Sequence, residues 1–284
     1  MHHLGATRSS LKPDHLLQTP DTFVRTPLPG AAGVEFVIHI APQRGAGFTQ
    51  MTAEFAEGGT LGPTAGQRFV YVTEGELSLA VVSDQLSVVG GQRSEARDQR
   101  SEIRDRVVVG NGGFFYVPQG VGHEVRATAK TRAVVIEKMY QPVDGVGAAQ
   151  VVVGKESDVK PVALMGDEGL RVCALMPDGP EYDFAVNTMT YDPGAALSMV
   201  EIHVMEHGLL MLEGGGIYRL GDAWYPVEAG DFIWMAPYCP QWFGALGKRP
   251  AKYLIYKDWH RHPLAERETG QKPTAGSAEG AANA

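Results

Sequence analysis

Glu201, His203 and His207 stand close together in the segment Glu201-Ile-His203-Val-Met-Glu-His207. Imidazole nitrogens with a carboxylate form a donor set suited to Mn, Fe, Co, Ni or Zn. In an extended strand alternate side chains share a face, so Glu201 and His203 are expected to point the same way. His207 precedes Gly208 and a strongly apolar run, which places it at the entry to a neighbouring strand after a turn. The chain has nine histidines, and this is the pair at ligand spacing in a strand context. His260 and His262 are also two apart, but they lie beyond the last expected strand. A lone histidine would be an ordinary core or surface residue, whereas three candidate ligands converging on one hairpin point to a metal centre.

The elements that must position these residues are strands. Short runs rich in β-branched and aromatic residues recur along the chain, among them Val34–Ile38, Arg68–Val72, Ala133–Ile136 and Asp231–Met235. Gly, Pro and Asp separate them, which is the pattern of strands joined by turns. No stretch carries a helical apolar period of useful length. The halves also repeat one another. Arg68-FVYVTEGELSLAV aligns with His207-GLLMLEGGGIYRL, and Gly112-GFFYVPQGVGHEV aligns with Gly230-DFIWMAPYCPQWFG. The two pairings have different offsets, which an insertion in the first half at about 85–106 accounts for. That insertion holds a tandem heptad, Gln92-RSEARD and Gln99-RSEIRD, too short and too polar for a coiled coil. An all-β chain follows: an arm at 1–33, a first unit at 34–147, a second at 148–263 and a disordered tail at 264–284.

The 284 residues are 44% hydrophobic and carry a formal charge of −8. A core of ordinary size is therefore available, and a nucleic-acid partner, which needs clustered Lys and Arg, is excluded. The N-terminal segment lacks a continuous apolar stretch, and no run reaches the roughly 18 apolar residues of a membrane helix. A cytoplasmic protein handling a small molecule, with no membrane partner, is expected. Cys173 and Cys239 form no CxxC pair and are expected as buried structural thiols. The run Gly214–Gly216 lacks the helix and Lys-Ser/Thr of a phosphate loop, and there is no Gly-x-Ser-x-Gly elbow.

The spacing resembles the cupin motif, in which Gly, two histidines, an acid and a closing Gly span two strands of a small barrel. Gly194–Gly214 matches its first part, with Glu201, His203 and His207 in the ligand slots, and Gly230–Gln241 matches its second, with Gln241 in the place of a final histidine. In the first half Gly112-x5-Pro118-x-Gly120-x2-His123 fits the second part well, but Thr64, Gln67 and Arg68 occupy the region where its partner ligands would be. His123 is accordingly read as structural. The resemblance implies a bicupin, two tandem jelly-roll barrels with one metal site in the C-terminal barrel.

The Glu/His/His/Gln set further resembles the (S)-ureidoglycine aminohydrolase family, manganese-dependent bicupins of purine (allantoin) breakdown. That likeness extends from about residue 5 to about residue 262 and includes EIHVMEHG and the closing Tyr253-Leu-Ile-Tyr-Lys257-Asp258 strand. It implies one Mn²⁺ per chain held by Glu201, His203, His207 and Gln241. It also implies a substrate bound by Glu201, Gln241, Tyr253 and Lys257, with Tyr218 lining the pocket and Glu201, Tyr253 and Lys257 in catalytic roles. Because bicupins often assemble, a homo-oligomer is expected. Two other readings stay open from the residues: a different metal-dependent bicupin enzyme, such as an oxygenase or isomerase acting on a small polar acid, and a non-catalytic small-ligand-binding cupin.

Overall fold

The computed structural model describes residues 7–81, 86–88 and 105–261. The heptad-bearing insertion, apart from residues 86–88 and 105–106, and the expected disordered tail lie outside these. The described chain is strands and turns, with three short 3-10 turns as its only helical segments.

An eleven-stranded sheet forms the first barrel, and an eight-stranded sheet faced by a three-stranded one forms the second. The apolar runs are continuous because most of these strands bury both faces. Along Gln67–Glu74, Val70 and Val72 point into the first barrel while Phe69 and Tyr71 point out of it. Gly113–Val117 behaves alike: Phe115 and Val117 face inward, and Phe114 and Tyr116 outward. In the second barrel Tyr253 and Ile255 face inward, and Leu254 and Tyr256 outward. All the outward-facing rings meet in a third core between the barrels. Since a fully buried Phe or Tyr contributes roughly 2–3 kcal/mol by area, this shared core binds the two barrels into one unit.

The barrels approach so closely beside His207 that only glycine fits next to it. A Cβ on Gly208 would lie 2.6 Å from the Phe48 ring of the first barrel and would overlap the Gln50 side chain.

One expected boundary shifts. Val151–Lys155, assigned from sequence to the second unit, pairs antiparallel with Gly113–Val117 and parallel with Leu86–Val88. The first sheet therefore runs past residue 147 to Lys155. The arm docks on both barrels: His15–Gln18 hydrogen-bonds to Phe232–Met235 of the second, and Arg25–Thr26 pairs with the Ala31–Ile40 strand of the first. An open sheet edge takes up whatever extended segment can reach it, and here that segment is the arm.

Candidate metal centre and its cavity

The central strands of the second barrel stack their inward side chains in rungs. His207 lies opposite Lys257, and Met211 opposite Tyr253, between His207–Glu213 and Ala251–Asp258. On the other side of Ala251–Asp258, Ala185 lies opposite Lys257, Asn187 opposite Ile255 and Met189 opposite Tyr253. Gln241 begins the Gln241–Ala245 strand of the facing sheet. Glu201 and His203 do not form the expected strand. Glu201 makes one isolated bridge, exchanging backbone hydrogen bonds with Gln241 at 2.8 and 3.0 Å. His203 follows in a loop whose carbonyl accepts the Tyr238 N–H at 2.8 Å, and Tyr238 itself turns with φ +63°. That tight turn before Pro240 ends the ladder after one pair. Both side chains nonetheless reach the same cavity.

This cavity, of about 410 Å³, is lined by Glu201, His203, His207, Gln241, Tyr218, Tyr253 and Lys257 together with Asn187 and a mostly apolar wall. All seven sequence-expected site residues are therefore in one chamber. His207 donates Nδ1–H to the Tyr256 carbonyl at 3.0 Å, which leaves its Nε2 as a bare lone pair. Burial above all pushes its pKa down to about 3, with His203 and Lys257 adding to the effect, so the ring is neutral. His203 Nε2 stands 3.3 Å from His207 Nε2 and 2.8 Å from the Gln241 side-chain amide. With Nε2 turned to that amide, His203 Nδ1 is left buried without a partner.

Two histidine nitrogens that each coordinate one cation at about 2.1 Å lie roughly 3 Å apart. The facing Nε2 atoms have that spacing, and rotating the Gln241 amide by 180° would turn its oxygen to the same point. The donor set therefore fits a divalent ion. Glu201 stands further off: with His203 and His207 it does not make a trio whose donor atoms lie within 4.8 Å of one another. Among the described residues the His/Cys/Asp/Glu group meeting that condition is Asp14, His15 and Cys239. There, however, the His15 nitrogens already bond Asp14 at 2.9 Å and the Tyr225 hydroxyl at 2.8 Å. Burial also raises the Cys239 thiol to about 11. This trio fastens the arm to the second barrel through those hydrogen bonds. Cys239 is buried as expected, whereas Cys173 is only half-buried.

Three tyrosines fill the deep end. Tyr253 and Tyr191 share a 2.7 Å hydrogen bond, and Tyr218 packs beside them. Desolvation raises all three hydroxyls, those of Tyr218 and Tyr253 far above their ordinary value, so they keep their protons and can donate hydrogen bonds. At the mouth, Lys257 Nζ sits 4.0 Å above the Trp259 ring, whose Nε1–H donates to Asp178 at 2.7 Å. Burial lowers the Lys257 pKa, while Asp178 and Glu201 oppose the shift. Asn187, Tyr191 and Trp259 escaped the sequence reading. Strand register reveals Asn187, the hydrogen bond to Tyr253 reveals Tyr191, and the contact with Lys257 reveals Trp259.

The matching point of the first barrel is plugged. Arg68, 2% exposed, donates to the Gly62 carbonyl at 2.6 Å and to His123 Nε2 at 2.8 Å, and pairs with Glu137 at 2.6 Å. His123 Nδ1 meets the Val121 carbonyl at 2.8 Å. A permanent guanidinium stands where a cation would sit.

Comparison with known proteins gives the same division. The cupin family matches residues 41–157 and the cupin-domain family residues 187–256. The chain is 36% identical over 262 residues to the (S)-ureidoglycine aminohydrolase of Arabidopsis thaliana, covering 92% of this chain and 80% of that one. Identity to the probable (S)-ureidoglycine aminohydrolase of Oryza sativa subsp. japonica is also 36%, covering 92% and 78%. Among solved structures, a putative glyoxylate-induced protein from Pseudomonas aeruginosa superposes with a TM-score of 0.76 at 30% identity, covering 90% of this chain and 93% of that one.

Proposed function

The chain belongs to the (S)-ureidoglycine aminohydrolase family of two-cupin proteins, and on that footing we propose that it hydrolyses (S)-ureidoglycine to (S)-ureidoglycolate and ammonia in purine breakdown. The observation that carries the reading is the pair of histidine Nε2 atoms 3.3 Å apart, in the cavity that also receives Gln241, Tyr253 and Lys257.

Glu201, His203, His207 and Gln241 would hold one Mn²⁺. When bound, that ion supplies a chelation point for the oxygen and nitrogen atoms of the substrate and Lewis-acid polarisation of what it touches. The remaining work falls to the protein. Lys257, held over Trp259, offers a point charge to the substrate carboxylate. Tyr253, fixed by Tyr191, donates a directional hydrogen bond that positions the substrate. The Glu201 carboxylate accepts a proton from the water whose oxygen bonds to the carbon and returns that proton to the amine nitrogen; the C–N bond breaks, the nitrogen leaves as ammonia, and Glu201 is again a carboxylate. Met189, Leu197 and Met205 in the wall limit the water around these charges, which strengthens every polar contact in the chamber.

The test is ammonia release from freshly prepared ureidoglycine by metal-stripped protein, with and without Mn²⁺, following product chirality. Mn-dependent release giving only the (S)-alcohol supports the reading. Binding of Mn²⁺ without acceleration over spontaneous decay overturns the substrate assignment and leaves the metal centre standing.

A further inference from the structure

Asn187 lines the chamber without a counterpart in the protein or in the reaction described above. It lies in Phe184–Tyr191, 8% exposed, and lines the cavity, yet no hydrogen bond among the described residues engages its carboxamide. Its strand alternates strictly: Phe184 and Val186 enter the core between the barrels, while Asn187, Met189 and Tyr191 face the second barrel's interior. Its direct partners are Ile255 on one side and Ala174 on the other. Lys257 and Tyr253 occupy the rungs immediately above and below, at diagonal positions some 7–8 Å away, within reach of one small ligand. Its carboxamide is not sealed in the core: among the described residues the side-chain atoms buried without a partner belong to Gln50 and His203, whereas Asn187 opens on the cavity, with its donor and acceptor available to a ligand there.

Resting on the activity proposed above, we infer that Asn187 binds the ureido end of the substrate and sets specificity for it. A ureido group presents a carbonyl acceptor and N–H donors in one plane. A carboxamide offers the complementary donor and acceptor, so the two can pair through two in-plane hydrogen bonds. Outside the candidate ligand cluster Asn187 is the one carboxamide in the lining. The cations Lys257 and Lys160 suit a carboxylate, and the tyrosine hydroxyls offer one donor each. With the carboxylate on Lys257, a ligand lying along the wall of strands brings its far end to Asn187.

The experiment uses Mn-loaded full-length protein and two stable probes, N-carbamoylglycine and N-acetylglycine, which share the carboxylate and carbonyl but differ in the terminal NH₂. Calorimetric affinities are compared in the unsubstituted protein, Asn187→Leu and Asn187→Asp, alongside Mn content, melting temperature and turnover of ureidoglycine. The unsubstituted protein should prefer the carbamoyl probe by about tenfold, the effect of one well-made hydrogen bond. In Asn187→Leu the preference should collapse towards unity with Mn content unchanged, N-acetylglycine losing only the one bond its carbonyl receives and N-carbamoylglycine losing both, and kcat/KM on ureidoglycine should fall about 10- to 100-fold. Asn187→Asp, which keeps the shape and one acceptor, should fall between. A preference retained in Asn187→Leu while the unsubstituted protein turns over ureidoglycine overturns this inference alone. Absence of both turnover and preference in the unsubstituted protein overturns the activity, and this inference with it.

Discussion

Asp183→Asn is expected to loosen the two barrels from one another. Asp183 is fully buried at the head of the Phe184–Tyr191 strand and takes three bonds from the first barrel and its linker. Gln67 Nε2 donates at 2.5 Å, Lys138 Nζ at 2.9 Å and the Gln141 N–H at 2.8 Å. Lys138 is just as enclosed, 3% exposed against 0% for its partner. Its one other carboxylate is Asp258, at 3.8 Å and 27% exposed. The substitution removes a charge and turns an acceptor into a donor facing two donors, leaving an ammonium without water or a close anion. Breaking a buried pair in this way costs about 3–5 kcal/mol, and Asp258 should hold the loss to about 3. For a chain of this size that is a fall in melting temperature of roughly 6–12 °C. Urea and thermal melts of Asp183→Asn, Lys138→Met and the double variant measure it. The double variant should recover part of the loss, because it no longer strands a cation. A loss below about 1 kcal/mol in Asp183→Asn, with no coupling to Lys138, would refute the assignment of this pair as the joint.

Chelator treatment should lower the melting temperature and Mn²⁺ restore it, by the equivalent of about 2.7 kcal/mol at a hundredfold excess over Kd; His203→Ala should show no such Mn-induced shift by differential scanning fluorimetry. Lys257→Met should raise KM for ureidoglycine by at least about tenfold, the loss of a charged hydrogen bond. Trp259→Leu, which removes the ring beneath that ammonium and its N–H bond to the exposed Asp178, should raise it about threefold; steady-state ammonia assays separate the two. Burial pushes His39 down to about 3 and, with help from Arg68, His123 down to about 4. Both titrate near 6.5 once unfolded, so the unfolded chain takes up more protons below that pH and folding stability falls as pH drops from about 6.5 towards these values. Each proton is worth roughly 1.4 kcal/mol per pH unit. Urea midpoints at pH 7, 6 and 5 should fall accordingly, and His39→Gln should flatten the slope.

The candidate ligands were legible because EIHVMEH puts three donors within a few residues, while Gln241 came only with the resemblance to the cupin motif. The strands were legible for a similar reason, since Phe69–Val72 and Tyr253–Tyr256 are apolar at every position. Why they are apolar on both faces was not, because the second face meets a core shared by segments far apart in sequence. Asn187 was hidden for the opposite reason. In Ala-Val-Asn-Thr it is an ordinary strand residue, and only its register with Ile255 makes it part of the cavity wall. Trp259 owes its role to lying over Lys257. Where the arm docks was not legible, because its pairing depends on an edge strand late in the chain. Arg68 had been noticed as a residue in place of a ligand; its three contacts show that it fills that place.

The attachment of His15 to Tyr225 links positions 210 residues apart. On the ribosome the first of these emerges long before the second has been made. The first barrel can close on its own strands as they appear, but the edge of the second awaits a segment synthesised at the outset and kept free until the end. Closing so long a loop costs little more than closing a short one, since the entropic term grows only with the logarithm of length. The consequence is one of timing: the chamber holding the candidate metal ligands reaches its final form only after nearly the whole chain has been translated, so a truncated chain would carry those ligands on an unfinished wall.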